Sequence, residues 1–248
     1  MRRHLFVAHR CSRSGPGSLL RQTAGLVILG ASLVIPGGPL AGQGPSVAVT
    51  PFVGLYAPAG RLGTWNLTGI EGGRVTTVVE QGSSVALGAR VSGRVADRLA
   101  VEGALMWAPS SVRTATSSDL LFQAGPLPEV ASSTLTGTAV WLGSVSLLYD
   151  VLRPAPSLAF YASVGPVLIS RTGSSVWTGV DGRTDIGGLA GVGLRFRVGS
   201  AVAVRLDAED AISSARLTDG ATGAATASRI QNDLLFSAAL SIGILGRR

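Results

Sequence analysis

The chain has no lysine, and its one cysteine and two histidines all lie within the first eleven residues. Cys11 alone cannot build a disulfide framework. Beyond it there is neither thiol nor imidazole. That excludes histidine-based triads, cysteine nucleophiles and thiolate or imidazole metal centres from the rest of the chain. Charge is scarce as well: 14% of residues are charged, against roughly 25% in a typical soluble domain. Hydrophobic residues make up 46%. Together these values describe a chain that faces something other than water. Glycine is abundant at 34 residues but has no three-residue period, so a collagen-like structure is excluded.

The formal charge of +7 does not mark a nucleic-acid binder. Five arginines (Arg2, Arg3, Arg10, Arg13 and Arg21) precede the apolar run at residues 24–35, and no acid occurs before Glu71. Beyond residue 43, sixteen arginines face fourteen acids. Charge so weak and dispersed makes no phosphate-binding patch.

Residues 1–43 have the plan of a secretory signal. A basic segment is followed by "AGLVILGASLVI" and then by the small residues and helix breakers of "PGGPLAG". The apolar part is about a dozen residues, short of the roughly 20 that span a bilayer as a helix. Cleavage is expected near Gly42 or Gln43, and Arg2-Arg3 has a weak likeness to a twin-arginine pair. Residues 44–248 are then an exported domain, expected to carry no cofactor.

That domain shows two-residue alternation and no long helical period. Eight strands are predicted, at 46–57, 85–95, 99–108, 134–150, 158–171, 186–198, 201–212 and 230–244. Their connections alternate strictly. Stretches 58–84, 109–133, 172–185 and 213–229 are long. The turns at Ala96-Asp97-Arg98, 151–157 and Gly199-Ser200 are short. Alternation of this kind predicts an all-β, antiparallel, up-and-down meander of eight strands with both termini on the short-turn side. A transmembrane β-barrel has this plan.

The two faces of each strand decide between lipid and water. In 85–95, Leu87, Ala89, Val91 and Val95 oppose Arg90 and Arg94; in 99–108, Leu105 and Trp107 oppose Glu102. Leu194 and Phe196 oppose Arg195 and Arg197, and Val204 and Leu206 oppose Arg205, Asp207 and Glu209. One face is continuously apolar. The other carries glycine, alanine, serine and charges of both signs. This suits an exterior in lipid and an interior packed with small residues and ion pairs. Arg90, Arg94, Arg195, Arg197 and Arg205 can be balanced by Glu102, Asp207, Glu209, Asp150 and Asp233 in one lumen network, since an unpaired buried ion is costly. Phe52, Tyr56, Met106, Leu142 and Leu189 are expected on the same inner face. Trp107, Trp141, Tyr149, Phe160, Phe196 and Phe236 are expected outside, some of them at the membrane girdles. Pro51 is expected near a strand start and Gly165-Pro166 at a bulge, because neither proline can donate a ladder bond.

At this level the chain resembles a known group. "TPFVGLYAPAGRL", "RLDAEDAI" and "QNDLLFSAALSIGI" resemble segments of small bacterial outer-membrane β-barrel proteins of the OmpA-like and OmpW-like kind. The resemblance implies an eight-stranded barrel in the outer membrane, reached after secretion and with the help of the outer-membrane assembly machinery. Such chains often end on an aromatic residue. This one ends "ILGRR", leaving Phe236 and Ile244 to carry that signal in a shifted position.

Other motifs have plainer readings. "GGLAGVG" at 187–193 lacks the order of a dinucleotide-binding loop and reads as strand glycines. Asp207, Glu209 and Asp210 could do acid–base work, but only the first two share a face, with Arg205 beside them. "DGRTD" at 181–185 reads as a polar turn before it reads as a cation loop. Asn66-Leu67-Thr68 matches a glycosylation sequon by chance. The expected function is non-enzymatic. A monomeric integral outer-membrane barrel would have a structural or surface role, or conduct small apolar molecules through a narrow lumen. The alternative is a soluble periplasmic barrel that binds a small ligand, as lipocalin-like folds do.

Overall fold

A computed structural model describes residues 47–68, 74–119, 121–122, 125–126, 132–173, 183–215 and 229–245. The expected signal segment, residues 1–43, lies outside them, as does most of the stretch 217–229. Among the described residues there are twelve strands: β1 (Val47–Ala59), β2 (Arg61–Thr68), β3 (Arg74–Gln81), β4 (Ser84–Ala96), β5 (Leu99–Asp119), β6 (Leu121–Phe122), β7 (Gly125–Pro126), β8 (Ser132–Ala155), β9 (Leu158–Gly173), β10 (Arg183–Arg197), β11 (Val202–Ala215) and β12 (Arg229–Leu245).

Eight of these strands close a ring. In order round it they are β1, β4, β5, β8, β9, β10, β11 and β12, each antiparallel to its neighbours, with β12 paired back to β1. Closure leaves the ring without a sheet edge. The chain enters at Val47 beside Leu245, so both ends of the ring lie on the side of the short turns.

The exterior is apolar. On β12, the outward Phe236, Leu240 and Ile242 are exposed, while the intervening Gln231, Asp233, Ser237 and Ser241 are buried. On β11, the exposed Leu206 and Ile212 alternate with buried Arg205, Asp207 and Ser213. A water-soluble barrel would reverse this pattern. An apolar band on nearly every strand far exceeds the few hundred Å² that a soluble monomer tolerates, and lipid is the solvent that suits it. Trp107 and Trp141 face each other across β5 and β8, their rings 6.4 Å apart. Tyr149, Phe160 and Phe196, also exposed, lie on the adjacent strands β8, β9 and β10 near the short-turn rim. Among the described residues, no helix is long and apolar enough to cross a membrane; the strands do the crossing.

Two expectations need correction. The stretch 58–84 holds β2 and β3, which lengthen β1 and β4 beyond Gly60 and Gly82. There β3 pairs with the far half of β5, Gln81 opposite Val112 and Arg74 opposite Asp119. β5 and β8 run on together as far as Thr116 opposite Ser132. The 24 residues of β8 reach about 80 Å at roughly 3.3 Å each, although a tilted spanning strand needs only about 9–11 residues. So β2, β3 and the far halves of β5 and β8 form a sheet that projects on the long-connection side. These segments read as loops because they stand clear of lipid and lack a continuous apolar outer face.

The prolines are the second correction. Pro51 lies inside β1, opposite Ala89 of β4, not near the strand's start. The rungs to β12 skip Thr50 and Pro51 and resume in the same register at Phe52. The hydroxyl of Thr50 donates to Ser241 Oγ at 3.0 Å across that gap. Gly165-Pro166 likewise interrupts the β8–β9 rungs without shifting them, so it is no bulge. The bulges of β4 and β8 lie at the short-turn rim, between Arg94 and Ala96 and between Asp150 and Ala155.

Candidate functional site

The lumen of an eight-stranded barrel is just wide enough to be filled by its own side chains. Here the fill is layered. A central polar layer is built on Arg90 of β4 and Arg205 of β11. Arg90 donates from Nη1 to Asp207 Oδ2 at 3.0 Å and from Nη2 to Glu209 Oε2 at 2.8 Å and Ser237 Oγ at 3.1 Å. Its Nε stands 3.6 Å from Glu102 Oε1, a charge contact without a hydrogen bond. Arg205 grips both oxygens of Glu102, the longer contact being 3.2 Å, and reaches Asp207 Oδ1 at 3.1 Å. Tyr161 donates to Asp207 and accepts from Arg205 Nε at 3.0 Å. Two arginines thus hold three carboxylates. Arg90 and Arg205 are exposed by only 1% and 2%. An ion so deeply buried is tolerable only with such partners.

Glycines give the aromatic members of this layer their room. Phe52 lies opposite Gly88 and Tyr161 opposite Gly193, and any Cβ on either glycine would collide with the facing ring. Arg90 packs its guanidinium 4.1 Å from the centre of the Phe52 ring, and Arg205 lies 5.1 Å from that of Tyr161. The glycines of 187–193 are strand glycines, as their spacing suggests.

An apolar layer follows toward the long-connection side. Phe52, Met106, Val140, Leu142, Val167, Ile169, Leu189 and Leu235 are buried in a single cluster. Above it lies a second polar layer. There Arg171 ion-pairs with Asp233 and, at 3.1 Å, with Asp185 Oδ2, and its Nε donates to Gln81 Oε1 at 3.1 Å. Tyr56 donates to Asp233 Oδ1 at 2.8 Å.

The third polar group lies at the short-turn mouth. Asp150 accepts two bonds from Arg195 Nη2, at 2.8 and 2.9 Å, and two from Arg153, from Nε at 3.1 Å and Nη2 at 2.7 Å. Arg153 also pairs with Asp97 at 3.3 Å. It reaches this site through the bulge in β8, which leaves Val151 and Leu152 both exposed and turns the next side chain inward. A bulge re-aims a strand in this way. Arg94 donates to the Asp97 carbonyl at 3.1 Å.

The ten residues read from the sequence as one lumen network therefore fall into three groups. Arg90, Glu102, Arg205, Asp207 and Glu209 meet at the centre. Arg94, Arg195 and Arg197 belong to the mouth, with Asp150. Asp233 belongs to the second polar layer, with Arg171. Arg195 and Arg205 are cross-strand neighbours, but each turns to its own carboxylate, which separates the clusters. Sequence reasoning missed Arg171, Arg153, Gln81 and the two tyrosines as polar partners. Asp210 faces outward, bonded by Asn232 at 2.8 Å, and shares no site with Asp207 or Glu209. Asp185 is committed to Arg171, which leaves little for a cation at 181–185; residues 181–182 lie outside the described residues. Asn66 is exposed on β2 and accepts from Thr76 at 3.0 Å. No group of three acids suited to a metal ion occurs among the described residues.

No family model matches the chain, and no curated relative matches it. Solved structures do. OprG, an outer-membrane protein of Pseudomonas aeruginosa, superposes with a TM-score of 0.52 at 11% identity, over 82% of this chain and 97% of that one. The fold is that of the small outer-membrane β-barrels. AlkL, an outer-membrane protein solved in lipid bilayers, matches at 17% identity over 84% of this chain and 94% of its own, with a TM-score of 0.48. Neisserial surface protein A matches at 13% identity over 81% and 99%, with a TM-score of 0.44. At these identities the likeness concerns the fold. Together with the apolar exterior, the OprG superposition assigns the ring of this chain to the bacterial outer membrane.

Proposed function

We propose that the protein is a monomeric, non-enzymatic outer-membrane barrel with a sealed lumen. Its working surface is the projecting sheet of β2, β3, β5 and β8 with the long connections. The observation that carries this reading is the layered fill. A continuous ion network, an apolar layer and a second ion network cross the lumen in succession; Arg90, Arg205 and the aromatics are buried, and the Arg171 side chain is 12% exposed. A conduit for small apolar molecules would use Phe52, Met106, Leu142 and Leu189 as its lining. Those residues pack against one another as filler. The soluble-barrel alternative is disfavoured by the exposed apolar exterior. Residues 1–43 act as the removed export signal in this reading, and the partners are outer-membrane lipid and the assembly machinery.

Planar-bilayer recording tests the seal. The folded barrel should conduct no more than a bare bilayer. A variant lacking both Glu102 and Arg205 side chains, E102A with R205A, should open measurable current while keeping the gel shift between unboiled and boiled samples. Steady conductance or uptake of apolar solutes into liposomes by the unmodified protein would overturn the sealed-lumen reading.

A further inference from the structure

The short-turn mouth has a charge surplus that the layers above lack. It forms a cavity of about 510 Å³ lined by Arg94, Arg153, Arg195, Arg197, Asp97 and Asp150, with the Pro154–Ala159 segment along one wall. Four guanidinium groups there face two carboxylates. Asp150 is saturated by Arg153 and Arg195. Asp97 pairs with Arg153. Arg94 reaches only a backbone carbonyl. Arg197 lines the same cavity, exposed, and its main-chain N–H donates to the Ser157 carbonyl at 2.7 Å. Neither Arg94 nor Arg197 has a carboxylate at ion-pair distance among the described residues. Both have donors to spare, and a guanidinium presents these in a fork that matches carboxylate and phosphate oxygens.

We propose that this mouth is a binding site for a small soluble dianion carrying carboxylate or phosphate groups, offered from the periplasmic side and held by Arg94 and Arg197. Three features support it. The volume lies in the range of small-molecule sites, about 300–1,000 Å³. The wall is stiffened by Pro154 and Pro156, so ordering it costs little on binding. The inner end is closed by Arg195, which sits 5.8 Å from the Tyr161 ring below the central layer, so a ligand would dock without crossing. The arginines lie on the lumen side of their strands. A free solute reaches them more directly than a lipid headgroup would.

Titration calorimetry with inorganic pyrophosphate, on the full barrel folded in zwitterionic detergent, tests the site. Saturable binding is expected, about tenfold or more weaker in R94Q and in R197Q, the cost of one charge-assisted hydrogen bond. Citrate should bind at the same place and compete. The unboiled gel shift of each variant reports folding, and Arg197 is exposed enough that its loss should leave the shift intact. Arg61, exposed on β2 at the opposite end and paired with Glu80, supplies the control: R61Q should bind as the parent does. The proposal is overturned by absence of saturable binding, or by equal weakening in R61Q. It is equally overturned if nanodiscs containing phosphatidylglycerol abolish pyrophosphate binding while phosphatidylcholine nanodiscs allow it. That result would make a lipid headgroup the occupant.

Discussion

The centre of the lumen and its short-turn mouth are built from the same residue types and behave as opposites. At the centre, two arginines serve three carboxylates, every guanidinium is engaged, and the group is shut from solvent. At the mouth, four arginines serve two carboxylates, Asp150 is held twice over, and the arginines are partly exposed. At the centre every charged side chain is ion-paired and shut from water, so it acts as a fixed plug. The mouth has spare donors and spare pairing, so it can change partners. Burial is what separates them. A central charge has no water to fall back on, whereas a mouth charge does.

The largest test of this contrast is R90A. It leaves Glu209 without its ion pair and Asp207 with Arg205 and Tyr161 only, and it empties a site walled by Phe52. A loss of about 3–5 kcal/mol is expected, the usual cost of removing one side of a buried pair. Urea unfolding in lipid vesicles, followed by the fluorescence of outward Trp107 and Trp141, measures it. A loss below about 1 kcal/mol would mean that water reaches the central layer and that the lumen is not sealed there.

Y161F comes next. It keeps the ring against Gly193 and removes one hydroxyl that gives to Asp207 and takes from Arg205. Roughly 1–3 kcal/mol should be lost, since both partners are buried and neither has a free substitute. The same unfolding assay reads it. An unchanged midpoint would show that the ring, and not its hydroxyl, organises the layer.

What the sequence disclosed was the side of the wall on which each residue stands. Strict alternation put Arg90, Glu102, Arg205, Asp207 and Glu209 on one face and Leu87, Trp107, Leu206 and Phe236 on the other, because register slips of one residue would expose charge to lipid. It did not disclose who pairs with whom. Arg90 meets Asp207 across 117 residues and Arg205 meets Glu102 across 103. Such partners depend on where eight strands stagger round a closed ring. Tyr56 counted as apolar in the alternation and Tyr161 was assigned no role, although their hydroxyls complete two of the networks. Gln81 lay in a stretch that read as loop, and Arg171 closed a predicted strand without a partner in view. Arg153 lay in 151–157, which read as a turn, whereas β8 runs on to Ala155 through a bulge. A bulge reverses which side chain points inward, and nothing in "YDVLRPA" announces it.

The smallest expected effects concern the mouth, and there the pattern matters more than the size. R195Q leaves Asp150 with Arg153, and R153Q leaves it with Arg195. Each single change should cost about 1 kcal/mol or less, because a partly exposed pair is screened and the carboxylate keeps one partner. The double variant removes both. Asp150, itself only 5% exposed, would then have no ion pair, and the loss should exceed the sum of the singles by about 0.5–3 kcal/mol. Redundancy predicts that sign. A plug like the central layer predicts the reverse order, with each single change already costly and the second adding little. Unfolding midpoints of the parent, the two singles and the double therefore decide whether the mouth is built to spare a partner. If the coupling is absent, water has replaced the lost arginines, and Asp150 never depended on either.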